Sequence, residues 1–311
     1  MSENAVELRG IYKAYKTGFM MKKVEALNGV DLVIKKGEVF GYLGPNGSGK
    51  TTTLKLIMGI IYPDRGEIEV LSKSPYDISV KEKIGFLPES PYFYDYLTAV
   101  EFLDFFARLF SIPQGVRRER IRRLLKSVGL EDRADEPLRR FSRGMLQRIG
   151  IAQALINDPE LVFFDEPMSG LDPLGRAEVK EIIQGLKREG KTIVFSSHIL
   201  PDVEAIADRV GIIVDGKIRD VGDLDRMLNE RVSFVEITVC GLDHDLLKSI
   251  EGKAEVKRTL KDRTVLLVDG AENINEVIDY LRSLKISIES VEPIRLTLEE
   301  LFLSEIKGKS K

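Results

Sequence analysis

The sequence predicts an α/β fold with a parallel sheet, an antiparallel β subdomain before it, a helical insertion within it and a small α+β domain after it. Three observations predict this. Gly44-Pro45-Asn46-Gly47-Ser48-Gly49-Lys50-Thr51-Thr52 stands between the apolar run Val39-Phe40-Gly41-Tyr42-Leu43 and the helical Leu54-Lys55-Leu56-Ile57-Met58, so the order is strand, glycine-rich loop, helix. Leu161-Val162-Phe163-Phe164 and Thr192-Ile193-Val194-Phe195-Ser196 have the near-continuous apolarity of strands buried on both faces, the habit of parallel sheets. Beyond Asn229 the pattern changes to β-α-β-β-α-β, the ferredoxin-like order.

Taken in order, Val6-Glu7-Leu8-Arg9 and Val30-Asp31-Leu32-Val33-Ile34 alternate in part and read as short antiparallel strands. The helix after the loop carries Leu54, Ile57, Met58 and Ile61 on one face, and Pro63-Asp64-Arg65-Gly66 turns into the strand Glu67-Ile68-Glu69-Val70. The strand Ile84 to Leu87 ends near a carboxylate, Glu89. A helical insertion over about residues 90–160 follows. Thr98 and Glu101 form a capping box for its first helix, and a second runs through Ile121, Leu124, Leu125 and Val128 to Gly129, with five arginines on or beside it. Ser142 caps the helix after it, and Asp172 with Pro173 opens another that Gly190 ends. Val210–Val214 and Lys217–Val221 flank Asp215-Gly216 as a hairpin. We divide the chain into residues 1–230 and 231–311. In the second part, strands are expected near Phe234–Val239, Ala254–Leu260, Thr264–Val268 (Asp262 at the turn) and Ser287–Val291, with helices near Asp245–Ile250 and Ile274–Leu284. Thr297 and Glu300 cap a last short helix.

Composition narrows the classes. The 311 residues carry a net charge of −3, which argues against a general nucleic-acid binder. No apolar run approaches the ~18 residues a membrane span needs, and Met1-Ser2-Glu3-Asn4 has no signal-peptide character, so membrane association is expected only through a partner. Cys240 is the single cysteine, which excludes an intrachain disulfide; it is expected as a small buried residue on a strand.

The glycine-rich loop carries chemistry. Gly44, Gly47 and Gly49 let backbone N–H groups turn inward around an anion, and the helix that follows adds its positive end. Pro45, Asn46, Ser48 and Thr52 complete the cradle. Lys50 can reach β- and γ-phosphates, and the Thr51 hydroxyl can ligate the accompanying Mg²⁺. Tyr15, between Lys13 and Lys16, can stack on an adenine. Asp165-Glu166 and His198 fall at the ends of the buried strands, where the crevice of a parallel sheet lies.

Five motifs in order then carry a resemblance: the loop at Gly44 to Thr51, Ser142-Arg143-Gly144-Met145, the run ending Asp165-Glu166, Ser169-Gly170-Leu171-Asp172, and His198. With them the chain resembles the ATP-binding subunit of ABC transporters over nearly its first three-quarters. The resemblance implies a P-loop NTPase of the ABC-type ATPase class, with ATP and Mg²⁺ as cofactors. It implies Tyr15 on adenine, Lys50 on the phosphates, Thr51 and Asp165 on Mg²⁺, Glu166 as general base, and His198 holding the γ-phosphate and the water in line. Ser142 and Gly144 would act in trans on ATP seated on a second subunit, with Asp172 meeting that subunit in the D-loop position. The implied partners are a second copy or a related ATPase subunit and a separate polytopic membrane permease. The implied place is cytoplasmic, at the inner face of the cell membrane. Phe141, Arg143 and Met145 depart from the usual signature Leu-Ser-Gly-Gly-Gln, and Glu89 stands where a glutamine is usual, still able to approach Mg²⁺. Both changes, with Leu298-Glu299-Glu300-Leu301-Phe302-Leu303, look like the ABC-2-type exporter branch. The alternatives are a soluble ABC ATPase acting on ribosomes or DNA, whose members usually carry paired modules or a long coiled coil, and a nucleotide switch without catalysis.

Overall fold

The computed structural model describes residues 3–17, 22–229, 234–241, 254–260, 263–269, 274–294 and 297–307. The chain divides into two compact units, Met1–Leu224 and Asp225–Lys311.

The first unit opens on a three-stranded antiparallel sheet of β1 (Asn4–Thr17), β2 (Lys22–Lys35) and β4 (Arg65–Val70), in the order β2-β1-β4. β1 and β2 are far longer than the short strands read from the sequence. Register shifts at Leu8/Ile11, Ile11/Tyr12 and Lys13/Ala14 break the period-two alternation that a sequence pattern depends on, while the pairing itself continues to Thr17 and Lys22.

The second sheet has the order β5-β6-β7-β3-β8-β9, from β3 (Val39–Leu43), β5 (Ile84–Leu87), β6 (Leu161–Phe164), β7 (Thr192–Ser197), β8 (Arg209–Val214) and β9 (Lys217–Asp223). All its pairs are parallel except β8 with β9, a hairpin whose turn residues Asp215 and Gly216 both take positive φ. Every residue of β3, β6 and β7 is buried, as their apolar runs require. These three strands lie side by side, so the loops at their carboxyl ends share one edge.

Helices cover this frame. α1 (Lys50–Ile57) follows the glycine-rich loop, and its Leu54, Leu56 and Ile57 join Leu8, Ile11, Val30 and Ile34 of the antiparallel sheet and Tyr42 and Phe163 of the parallel sheet in one core. Full burial of each such side chain is worth about 1.5–3 kcal/mol. α2 (Ile78–Lys81) precedes β5. Between β5 and β6 come α3 (Ala99–Leu109), capped by Thr98 and Glu101, then α4 (Gln114–Ser127) and α5 (Arg143–Ala154), capped by Ser142. α6 (Pro173–Arg188) begins at its cap Asp172, and α7 (Leu200–Glu204) follows β7. α8 (Leu224–Asn229) follows β9.

In the second unit, β10 (Phe234–Cys240), β11 (Glu255–Leu260), β12 (Arg263–Asp269) and β13 (Ser287–Ile294) form an antiparallel sheet in the order β11-β12-β10-β13. Numbered within the unit this is second, third, first, fourth, the strand order that a ferredoxin-like β-α-β-β-α-β chain produces. α9 (Ile274–Ser283) supplies Val277 and Leu281 to a core with Val235, Ile237, Val239, Leu266 and Val268, and α10 (Leu298–Lys307) follows β13. The helix expected near Asp245–Ile250 and the turn at Asp262 lie outside the described residues. Cys240 is only half-buried, because it ends its strand rather than sitting within it.

Candidate functional site

The loop after β3 gives the site its shape. A Cβ added at Gly44 would come within 2.4 Å of both Ile213 O and Ser48 Oγ, and one at Gly49 within 2.7 Å of Ala26 O, so side chains are excluded where the backbone folds inward. Ser48 Oγ is buried and makes no hydrogen bond. A buried hydroxyl facing an open cradle is suited to an incoming oxygen ligand. Lys50 is itself buried, and its Nζ donates to Gly44 O at 2.7 Å and Pro45 O at 3.4 Å. The ammonium is thus already turned back into the loop it would share with an anion.

Because β6, β3 and β7 are close neighbours, the residues after them form one bonded chain. Glu166 Oε1 lies 3.3 Å from Lys50 Nζ, and the His198 imidazole donates from Nδ1 to Glu166 Oε2 at 2.8 Å. Thr51 Oγ1 donates to Asp165 Oδ2 at 2.9 Å. Glu166 has φ 50°, a conformation that costs a non-glycine residue about 1–3 kcal/mol. Ser196 holds it there. Its Oγ accepts the Glu166 N–H at 2.8 Å and donates to Asp165 Oδ1 at 2.6 Å, fixing both acidic residues at once. Sequence reasoning missed Ser196; the available signal was a serine following the apolar Ile193-Val194-Phe195 run of a fully buried strand.

A cleft of about 600 Å³ opens here, lined by Tyr15, Ala26, Pro45 through Thr52, Glu89, Glu166, Ser169 and His198. Gly44 lies behind the lining as the acceptor for Lys50, and Asp165 reaches it through Thr51. Tyr15 is partly exposed, with Lys13 Nζ 5.9 Å from its ring centroid. Glu89 is exposed on the cleft wall and forms no hydrogen bond or ion pair with the described residues. Ser142, Gly144 and Asp172 are not in the lining. Ser142 Oγ instead accepts Met145 N–H at 3.3 Å and Asp172 Oδ1 accepts Gly175 N–H at 2.8 Å, so both are occupied as helix caps.

Thr51 and Asp165 offer two hard oxygen donors side by side. Among the described residues no cluster of three or more His, Cys, Asp or Glu could hold a metal ion alone. Two such donors fit Mg²⁺, which takes few protein ligands and completes its shell with phosphate and water.

Residues 27–169 match the family described as ABC transporter. An uncharacterized ABC transporter ATP-binding protein of Synechocystis sp. is 43% identical over 307 residues, covering 98% of this chain and 85% of its own. The chain belongs to the ABC transporter ATP-binding proteins. The linearmycin resistance ATP-binding protein of Bacillus subtilis is 33% identical over 96% of this chain and 97% of its own. Among solved structures, a dimeric ATP-binding cassette in a post-hydrolysis state with ADP and Pi superposes with a TM-score of 0.64 at 29% identity, covering 70% of this chain and 98% of that one. Like other members of the family, this chain is an ATPase, and over the part matched its architecture is that of their nucleotide-binding domain.

Proposed function

We propose that this ABC ATP-binding subunit hydrolyses ATP between two copies, or a copy and a related subunit, arranged head to tail, and thereby drives export through a separate polytopic permease at the inner face of the cell membrane. The observation that carries the reading is that the Lys50–Glu166–His198 chain is complete in one copy while the capped N-terminus of α5 lies outside the same cleft. One copy thus holds a cradle and a base, and offers a second, separate anion-binding surface to a neighbour. The dimeric state of the post-hydrolysis cassette and the resistance role of the Bacillus relative support this. No helix among the described residues is long and apolar enough to cross a membrane, so the translocation path falls to a partner.

The loop N–H groups of residues 45–52 and Lys50 bind the β- and γ-phosphates, and Tyr15 stacks on the base. Thr51 and Asp165 would hold Mg²⁺, with Glu89 within reach from the cleft wall; the ion supplies charge neutralisation to the phosphates. Glu166 accepts a proton from the attacking water as its oxygen bonds to the γ-phosphorus and the bond to the β-phosphate oxygen breaks. His198, bonded to Glu166, keeps that carboxylate aimed and places its other ring nitrogen toward the γ-phosphate. Ser142 and Gly144 of the second copy complete the phosphate shell, and Asp172 meets that copy across the interface. Closure around ATP would move helices docked near Glu89 and α3, and hydrolysis would reset them.

The test is Glu166→Gln. This variant is expected to bind ATP, accumulate as a stable dimer by size-exclusion chromatography, and release phosphate at least about a hundredfold more slowly. Parent-like turnover would overturn the mechanism. Affinity capture from detergent-solubilised membranes tests the partner: a co-purifying polytopic protein supports the transport role, whereas ribosomes or DNA in its place would replace it.

A further inference from the structure

Asp202 is a carboxylate only 3% exposed that the chemistry above does not use. It belongs to α7, four residues beyond His198, and its N–H donates to Ile199 O at 3.2 Å, so its place and that of the His198 segment are set together. Two cations face it from α6. Lys180 Nζ lies 2.7 Å from Oδ1, and Arg176 Nη1 lies 3.7 Å from Oδ2, an oxygen that is buried and accepts no hydrogen bond. Arg176 and Lys180 are four residues apart and so share one helix face. The same Arg176 donates from Nε to Leu171 O at 3.2 Å, inside the Ser169–Asp172 loop.

One guanidinium therefore touches both the loop that would face a second copy and the helix that follows His198. Lys180 already pairs with Asp202, so Arg176 is not its only counter-charge. Its separation from Oδ2 exceeds hydrogen-bonding length by roughly 0.7 Å, a gap that a small shift of the loop would close.

We propose that Arg176 is a positioning residue that, through Asp202, ties the Ser169–Asp172 loop to the segment carrying His198. This rests on the reading that Glu166 and His198 act in hydrolysis and that the loop meets a second copy. When that copy draws on the loop, Arg176 follows Leu171 and closes on Oδ2. α7 is then seized by both its cations, and His198 is fixed in its bond to Glu166. Without the second copy the contact stays open and His198 is held less firmly.

The test is steady-state ATPase kinetics on the full chain with Arg176→Gln, Asp202→Asn and the double variant, with Glu166→Gln assayed beside them. Arg176→Gln and Asp202→Asn are each expected to lower kcat roughly tenfold while KM for ATP stays within about twofold. The double variant is expected to be no slower than the worse single one, because both break one link. If Glu166→Gln is inactive and both singles keep kcat within about twofold of the parent, the tie is refuted and the hydrolytic reading stands. Additive losses in the double variant would also refute the tie. If Glu166→Gln turns over normally, the hydrolytic reading fails and takes this proposal with it. Should Asp202→Asn not fold, Arg176→Gln decides alone, since its partly exposed side chain can be replaced without opening a cavity.

Discussion

Ser196 shows how much of a site can depend on a residue with no chemistry of its own. Its hydroxyl restrains both the Asp165 carboxylate and the positive-φ backbone of Glu166, and neither can turn away without breaking a bond. Ser196→Ala leaves the Glu166 N–H unsatisfied in the interior and is expected to cost about 2 kcal/mol in urea unfolding. It is also expected to lower kcat roughly tenfold, since Glu166, the base proposed above, loses its aim while the glycine-rich loop stays intact and KM changes little. The residues that gather at the cleft were legible from the sequence because Gly44 to Thr51, Asp165-Glu166 and His198 each close an apolar run. Ser196 was not, because a serine near a strand end looks the same whether it points at solvent or at a carboxylate and a backbone N–H. Asp202 was hidden for a related reason: its cations come from α6, more than twenty residues earlier, and only packing brings them together.

At the scale of elements, boundaries follow local chemistry where caps are strong. Thr98 with Glu101, Ser142 and Asp172 start their helices as the sequence implies, each through a side-chain oxygen on a backbone N–H. The antiparallel strands were read too short because their bulges scramble alternation, which is a property of pairing rather than of either strand alone. Just before β3, Glu38 is buried against Arg209 of β8, whose Nη1 donates to Oε1 at 3.0 Å. Burial raises the Glu38 pKa above the ordinary glutamate range, opposed by the Lys35 N–H and Arg209. A raised folded-state value favours the neutral form, so this contribution to stability is full at acid pH and is lost as pH rises through that value. Arg209→Met removes the main opposing charge. It is expected to lower stability at neutral pH by about 2 kcal/mol, with a smaller loss in acid, in chemical denaturation at the two pH values. Adding Glu38→Gln to Arg209→Met is expected to abolish that difference; a difference that persists would mean other groups cause it.

For the whole molecule, the order of β and α segments was enough to reveal both architectures, because parallel strands need covered faces and the second unit closes its sheet with a fixed strand order. What order along one chain does not reveal is which groups meet only in an assembly. The N-terminus of α5, standing apart from its own cleft, has a consequence for mixtures. Chains disabled at the cradle by Lys50→Ala and chains disabled at the cap by Ser142→Arg should each be inert by themselves. Blended and allowed to exchange subunits, they should regain part of the phosphate release, because in a hybrid both defects fall at one junction and the opposite junction inherits only sound parts.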